Sequence, residues 1–169
     1  MTTPVYGGQQ HAQVAGQQNG RAHATASYVG IAGAVLAAIG SALAWVEVSV
    51  GGSSEKLKGT DGDDGMFVIV AALLAAALFI AGIATRKAVV SAGGAVPALV
   101  VLVFGILNAA DTERLPTQNA KDDGVSSDDI AEVMKMVDLS TSFGLYVVLL
   151  GGLVAIGAGV MAFLKGRSA

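Results

Sequence analysis

The residues able to bind a metal or move a proton are few, and they lie in separate parts of the chain. There are two histidines, His11 and His23, twelve positions apart in a polar N-terminal stretch, and they read as solvated side chains rather than ligands. The densest carboxylate group is in the turn Gly59-Thr60-Asp61-Gly62-Asp63-Asp64-Gly65. Asp61, Asp63 and Asp64 could hold a Ca²⁺ ion only together with Asp122, Asp123 or Asp128, and the EF-hand order of acids, glycine and closing glutamate is not met. The simpler expectation is a solvated acidic turn in which Asp63 or Asp64 caps a following helix, favoured by its dipole. No metal site is therefore expected. Serines are present, yet both histidines sit in the N-terminal tail, so no nucleophile–base pair is expected to converge. The chain has no cysteine, which removes disulfides, thiolate metal sites and haem attachment. No glycine-rich phosphate loop occurs either. A non-enzyme without cofactors is expected.

The elements that would position these residues are dominated by four uncharged apolar runs: residues 28–46, 65–85, 88–110 and 139–164. Each is near the ~20 residues that an α-helix needs to cross a bilayer core of about 30 Å. Backbone inside lipid must satisfy its own hydrogen bonds, so each run is expected to be helical. Composition agrees: 53% of residues are apolar and 14% charged, against about 45–50% and about 25% in soluble domains. The fold class expected is all-α, a polytopic membrane protein with four transmembrane helices in one antiparallel bundle. Residues 1–27, polar and rich in Gln, Gly and His, have the composition of a disordered tail, and 165–169 form a short cytoplasmic end.

Charge is segregated along this layout. Arg21, Arg86, Lys87, Lys165 and Arg167 fall in the tail, the second connection and the C-terminal end, where no acid occurs. All 13 acids lie in or beside the other two loops. The positive-inside rule then places both termini in the cytoplasm and the acidic loops outside, in a multi-pass protein of the cell membrane. Five scattered cytoplasmic bases are too few to hold nucleic acid. Ser41-Ala42-Leu43-Ala44 resembles a signal-peptidase site, but the preceding uncharged run is longer than the about 7–15 residues of a signal-peptide core. Trp45 reads as an anchor at headgroup depth. The alternation in Trp45–Val50, a Gly51-Gly52 turn and a second short run to Lys58 suggest a small β-hairpin in the first outer loop.

Trp45 closing a Gly/Ala-rich first span, the G-T-D-G-D-D-G turn opening the second, and the F-G-L-Y…G-G-L stretch of Phe143 to Leu153 together resemble uncharacterised small four-span membrane proteins of actinobacteria. That resemblance implies a fold and an envelope location, and no activity.

The third span contains Gly93-Gly94 and Pro97, which reads as a tolerated kink. The second outer loop, 111–138, is too long to be structureless. Ser126-Ser127-Asp128-Asp129 followed by Glu132 is a helix start, and Ile130, Val133, Met134 and Val137 recur on one face, so a short amphipathic helix able to meet a partner is expected there. Small residues at Gly30, Gly33, Gly40, Gly93, Gly94, Gly151 and Gly152 are expected at close helix contacts, within the bundle or in a homo-oligomer. The runs themselves contain no ionisable side chain, which argues against pumps and coupled transporters. The function expected is a structural or protein-interaction role in the cell envelope, with lipid and a membrane or envelope protein as partners. A phage or prophage superinfection-exclusion protein would be a special case. The alternative is a pore-forming oligomer, holin-like or a small channel.

Overall fold

The computed structural model describes residues 7–167, with side chains described from His23 onward. The order is α1 (Gly7–Ser41), β1 (Ala44–Val50), β2 (Ser53–Lys58), a 3-10 turn (Gly59–Asp61), α2 (Asp63–Thr85), α3 (Ala88–Gly93), α4 (Ala95–Ala110), α5 (Arg114–Asp122), α6 (Ser127–Met134), β3 (Asp138–Thr141) and α7 (Phe143–Arg167). Among the described residues four helical stretches are long and apolar enough to cross a membrane: His23–Ser41, Asp63–Thr85, Ala88–Ala110 and Phe143–Arg167. The protein is a polytopic membrane protein built on a four-helix bundle.

Three boundaries differ from the sequence expectation. The tail expected to be disordered is helical from Gly7. No proline follows Pro4 before the first span, so nothing in the backbone chemistry stops the helix of that span from running back through the Ala- and Gln-rich tail. The first span ends at Ser41 rather than Val46, because Ala44–Val50 is drawn into a sheet. The last span begins at Phe143 rather than Leu139 for the same reason. What was expected as a hairpin is a three-stranded antiparallel sheet in the order β2-β1-β3. Val46 pairs with Leu57 on one side and Thr141 on the other, and Ser49 with Ser54 and Asp138. Gly51 and Gly52 turn the hairpin with φ of 55° and 89°, a left-handed region open to glycine without cost.

In the bundle, α1 packs on α2 and α7, α4 packs on the same two, and α3 continues the α4 side of the ring. The third span divides at Gly94 into α3 and α4. Pro97 has no N–H to offer the Gly93 carbonyl, so the ladder breaks there while Ala98 N still donates to Gly94 O at 3.3 Å. Two apolar clusters fill the interior. One, next to the sheet, joins Trp45, Val46, Val68, Leu115, Leu145 and Val148. The other, toward Arg86, is made of Ala34, Ala75, Phe79, Ala98, Ala155 and Ala158. Meanwhile Phe67, Val70, Leu73, Leu74, Leu99, Val103, Leu150 and Leu153 face outward. Large apolar side chains outside and alanines inside are what a bundle solvated by lipid shows.

Glycines set the helix spacing. A β-carbon on Gly33 would lie 2.8 Å from the Gly151 carbonyl oxygen, one on Gly151 2.6 Å from the Ala37 nitrogen, and one on Gly40 2.8 Å from the Val148 nitrogen. Backbone thus meets backbone along the α1–α7 seam. Gly30 and Gly94 instead make room for the Phe79 ring, and Gly152 sits against Val101 and Leu102. Gly93, expected at a close contact, has open space around it, because the break after it turns that position away from its neighbours.

Candidate functional site

Three groupings of polar residues emerge, two inside the bundle and one on the connecting loops. The first is built on the acidic turn. Neither Asp63 nor Asp64 caps α2; Gly62 is the N-cap and both acids lie in the first helical turn. Asp63 is exposed, whereas Asp64 is 3% exposed. The Asp64 carboxylate accepts hydrogen bonds from Asn108 Nδ2 at 2.9 Å, from Arg114 Nη2 at 3.3 Å and from Arg114 Nε. This contact, with the coulombic attraction behind it, raises the Arg114 guanidinium above its already high ordinary pKa, so it stays protonated. Asn108 Nδ2 also donates to the Phe104 carbonyl at 3.0 Å, and its Oδ1 is buried without a protein partner.

The rest of the turn is equally structural. Asp61 accepts from the Lys58 backbone N–H at 2.7 Å, and Asn119 donates to the Asp61 carbonyl at 3.1 Å. A β-carbon on Gly59 would run into the Trp45 ring at 2.3 Å, and one on Gly65 into the Gly59 carbonyl at 2.0 Å. The G-T-D-G-D-D-G segment is therefore a clasp that ties sheet, α2 and α5 together. Asp61, Asp63 and Asp64 each face a different way, and among the described residues no group of three His, Cys, Asp or Glu is placed to hold a metal. Trp45, expected at the lipid headgroups, is fully buried beneath this clasp, with Nε1 donating to Gly40 O at 3.0 Å. The sheet folds over the ring and removes it from the interface.

The second grouping was not legible in the sequence. His23 is not a solvated tail residue: it is 8% exposed, and its Nε2 shares a hydrogen bond of 3.0 Å with Ser91 Oγ. Ser27 Oγ lies 2.8 Å from the same oxygen and donates to the His23 carbonyl at 3.1 Å. A histidine–serine pair thus does form, contrary to expectation. It lacks access for a substrate, since Ser91 is fully buried and Gly82 packs directly on its hydroxyl. Its evident work is to join α1 to α3. The side chain of His11 lies outside the described residues.

The third grouping is on α5 and α6. Ser126 caps α6, accepting from the Asp129 N–H at 3.3 Å while its hydroxyl donates to Asp129 Oδ2 at 2.7 Å. The helix ends at Met134 with Lys135 as its C-cap, short of Val137, and β3 begins at Asp138. The expected apolar face is divided: Ile130 is 5% exposed and Met134 half-buried, Val133 is 47% exposed, and Val137 lies beyond the helix. Ile130, Ala131 and Met134 line a groove of about 480 Å³ between the two helices, together with Thr117, Ser127, Glu113, Lys121 and Lys135.

Small integral membrane proteins with four spans and a loop-built cap form the class that this architecture defines. Residues 27–169 match the family described as tryptophan-associated transmembrane proteins, and the chain belongs to that family. No curated protein and no solved structure matches it.

Proposed function

We propose that the protein is a non-catalytic interaction protein of the membrane, oriented with both termini in the cytoplasm, whose sheet and α5–α6 hairpin face outward and contact a partner. The observation that carries this reading is the placement of Val133 and Met136, which are 47% and 66% exposed on the loop-built cap. Exposed apolar residues on a span are solvated by lipid, but these two stand on a surface otherwise rich in Asp and Glu. The family's description links its members with tryptophan, and we carry that link into the proposal as the setting in which the contact operates.

A pore-forming role draws little support from the geometry. Ser41, Ser91 and Asn108, the polar residues of the spans that could line a lumen, are each 0–1% exposed and hydrogen-bonded within the chain. Gly33, Gly40 and Gly151 are engaged along the α1–α7 seam, which supports packing within the chain as their role.

A photo-reactive residue at position 133 or 136, activated in native membranes, tests the proposal. The expected result is one defined cross-linked protein, lost when the opposite position becomes Asp while the bundle remains folded. Absence of any defined adduct, together with reproducible conductance of the purified protein in planar bilayers, would overturn it.

A further inference from the structure

We infer that the groove between α5 and α6 is a binding site for a free aromatic amino acid. The inference rests on reading the cap as the working face of the protein, and it names a ligand for that face. The groove has the size of a small-ligand site, about 480 Å³, within the ~300–1,000 Å³ range typical of such pockets. Its lining combines apolar Ile130, Ala131 and Met134 with the hydroxyl residues Thr117 and Ser127 and three charged side chains, Glu113, Lys121 and Lys135.

The arrangement of those charges selects the ligand. Glu113 is the N-cap of α5 and Lys135 the C-cap of α6, and both line the same groove. An acid and a base lining one groove match an α-ammonium and an α-carboxylate, the pair of charges common to every free amino acid. Neither is committed elsewhere by an ion pair: among the described residues the pairs are Lys56 with Glu47 and Arg114 with Asp64. Lys121, eight residues beyond Glu113 and about 12 Å along α5 at the helical rise of 1.5 Å, lines the groove as well. A side chain lying against Ile130, Ala131 and Met134 would be apolar, would meet the Met134 thioether, and would share the groove with a lysine ammonium. A flat aromatic ring meets all three conditions, since sulfur–aromatic and cation–π contacts both favour it over an aliphatic chain. An acidic peptide would need a row of cations, and the groove offers two, with the acid Glu113 in the same lining.

The test uses the full chain in lipid nanodiscs and titration calorimetry with L-tryptophan and L-phenylalanine. Tryptamine lacks the carboxylate, indole-3-propionate lacks the ammonium, and L-glutamate lacks the ring. Saturable binding of an aromatic amino acid is expected, weakened about tenfold or more for each of the three probes, as loss of a charge-assisted contact or of the buried ring implies. Met134→Asp should abolish binding, and Glu113→Lys and Lys135→Glu should each weaken it about tenfold, with partial recovery in the double exchange. Gly157→Ala, on α7 with open space around it and outside the groove lining, should leave it unchanged. The thermal unfolding midpoint of each variant establishes that the fold is retained. No saturable binding of either aromatic amino acid, or binding that survives Met134→Asp, would overturn the inference. A partner cross-link at position 133 that persists in the absence of ligand binding would leave the partner reading standing and remove only this one.

Discussion

Arg114, in the first turn of α5, donates through Nε and Nη2 to the carboxylate of Asp64, in the first turn of α2, across 50 residues of chain. The two ends of this pair are unequal, because the Asp64 side chain is 4% exposed and that of Arg114 34%. Arg114→Ala strands a buried carboxylate, whereas Asp64→Asn leaves a guanidinium that can turn to water. Arg114→Ala should therefore destabilise the protein by about 3 kcal/mol, within the range for breaking one side of a buried pair, and Asp64→Asn by about 1 kcal/mol. Thermal unfolding in detergent measures the difference. Equal effects would mean that the pair is no more than a surface contact.

The seam between α1 and α7 gives a sharper contrast. A β-carbon at Gly151 falls 2.6 Å from both the Ala37 nitrogen and the Gly33 oxygen, whereas Gly93 and Gly157 have nothing within 4 Å. Gly151→Ala should cost about 1–3 kcal/mol through forced separation of the two helices. Gly157→Ala and Gly93→Ala should be neutral, or stabilising by a few tenths up to about 1 kcal/mol from reduced backbone freedom. The same unfolding measurement ranks the three. Loss of stability in Gly93→Ala would contradict the open space seen there.

These contrasts also mark what the sequence could tell. Four spans were legible because charge-free length is a strong signal and lipid permits few alternatives. The cap of α6 was legible at Ser126 and Asp129, since capping is local chemistry. β3 was not, because Asp138–Thr141 pairs with β1 across some 90 positions and nothing near it announces a strand. His23 looked like tail composition, and only the packing of α1 on α3 reveals Ser91 as its partner. Asp64 and Asp63 are adjacent and chemically alike, so the choice of which is buried belongs to the helix rotation set by Gly65 against Gly59.

Trp45 is the sole tryptophan of the chain, so its fluorescence reports one site. Fully buried beneath Gly59 and bonded to the Gly40 carbonyl, it should resist quenching by acrylamide and by bromine-labelled lipid alike. A residue anchored at the headgroups would be quenched strongly by the lipid probe. Replacing Gly59 with Ala, which forces a β-carbon into the ring, should shift emission to longer wavelength and lower the unfolding midpoint. Strong lipid quenching in the native protein would restore the anchor reading and weaken the account of the clasp.

Orientation can be tested on the same protein without background, because it contains no cysteine. The five bases in the tail, the Arg86-Lys87 turn and the C-terminal end lie on one side of the bundle, and the acidic sheet and α5–α6 cap lie on the other. Retention of Lys and Arg on the cytoplasmic side sets topology during insertion, while Asp and Glu contribute little, so the basic side should be inward. A single cysteine at Ser53, exposed in β2, should react with a membrane-impermeant maleimide on intact cells. One at Ala88, just beyond Arg86-Lys87, should react only after permeabilisation. Replacing Arg86 and Lys87 with Gln tests the cause as well as the result: it removes two of the five inward charges and should produce a labelled fraction at position 88 on intact cells. Labelling of position 88 in the otherwise native chain would invert the topology and, with it, the assignment of the cap to the outer face.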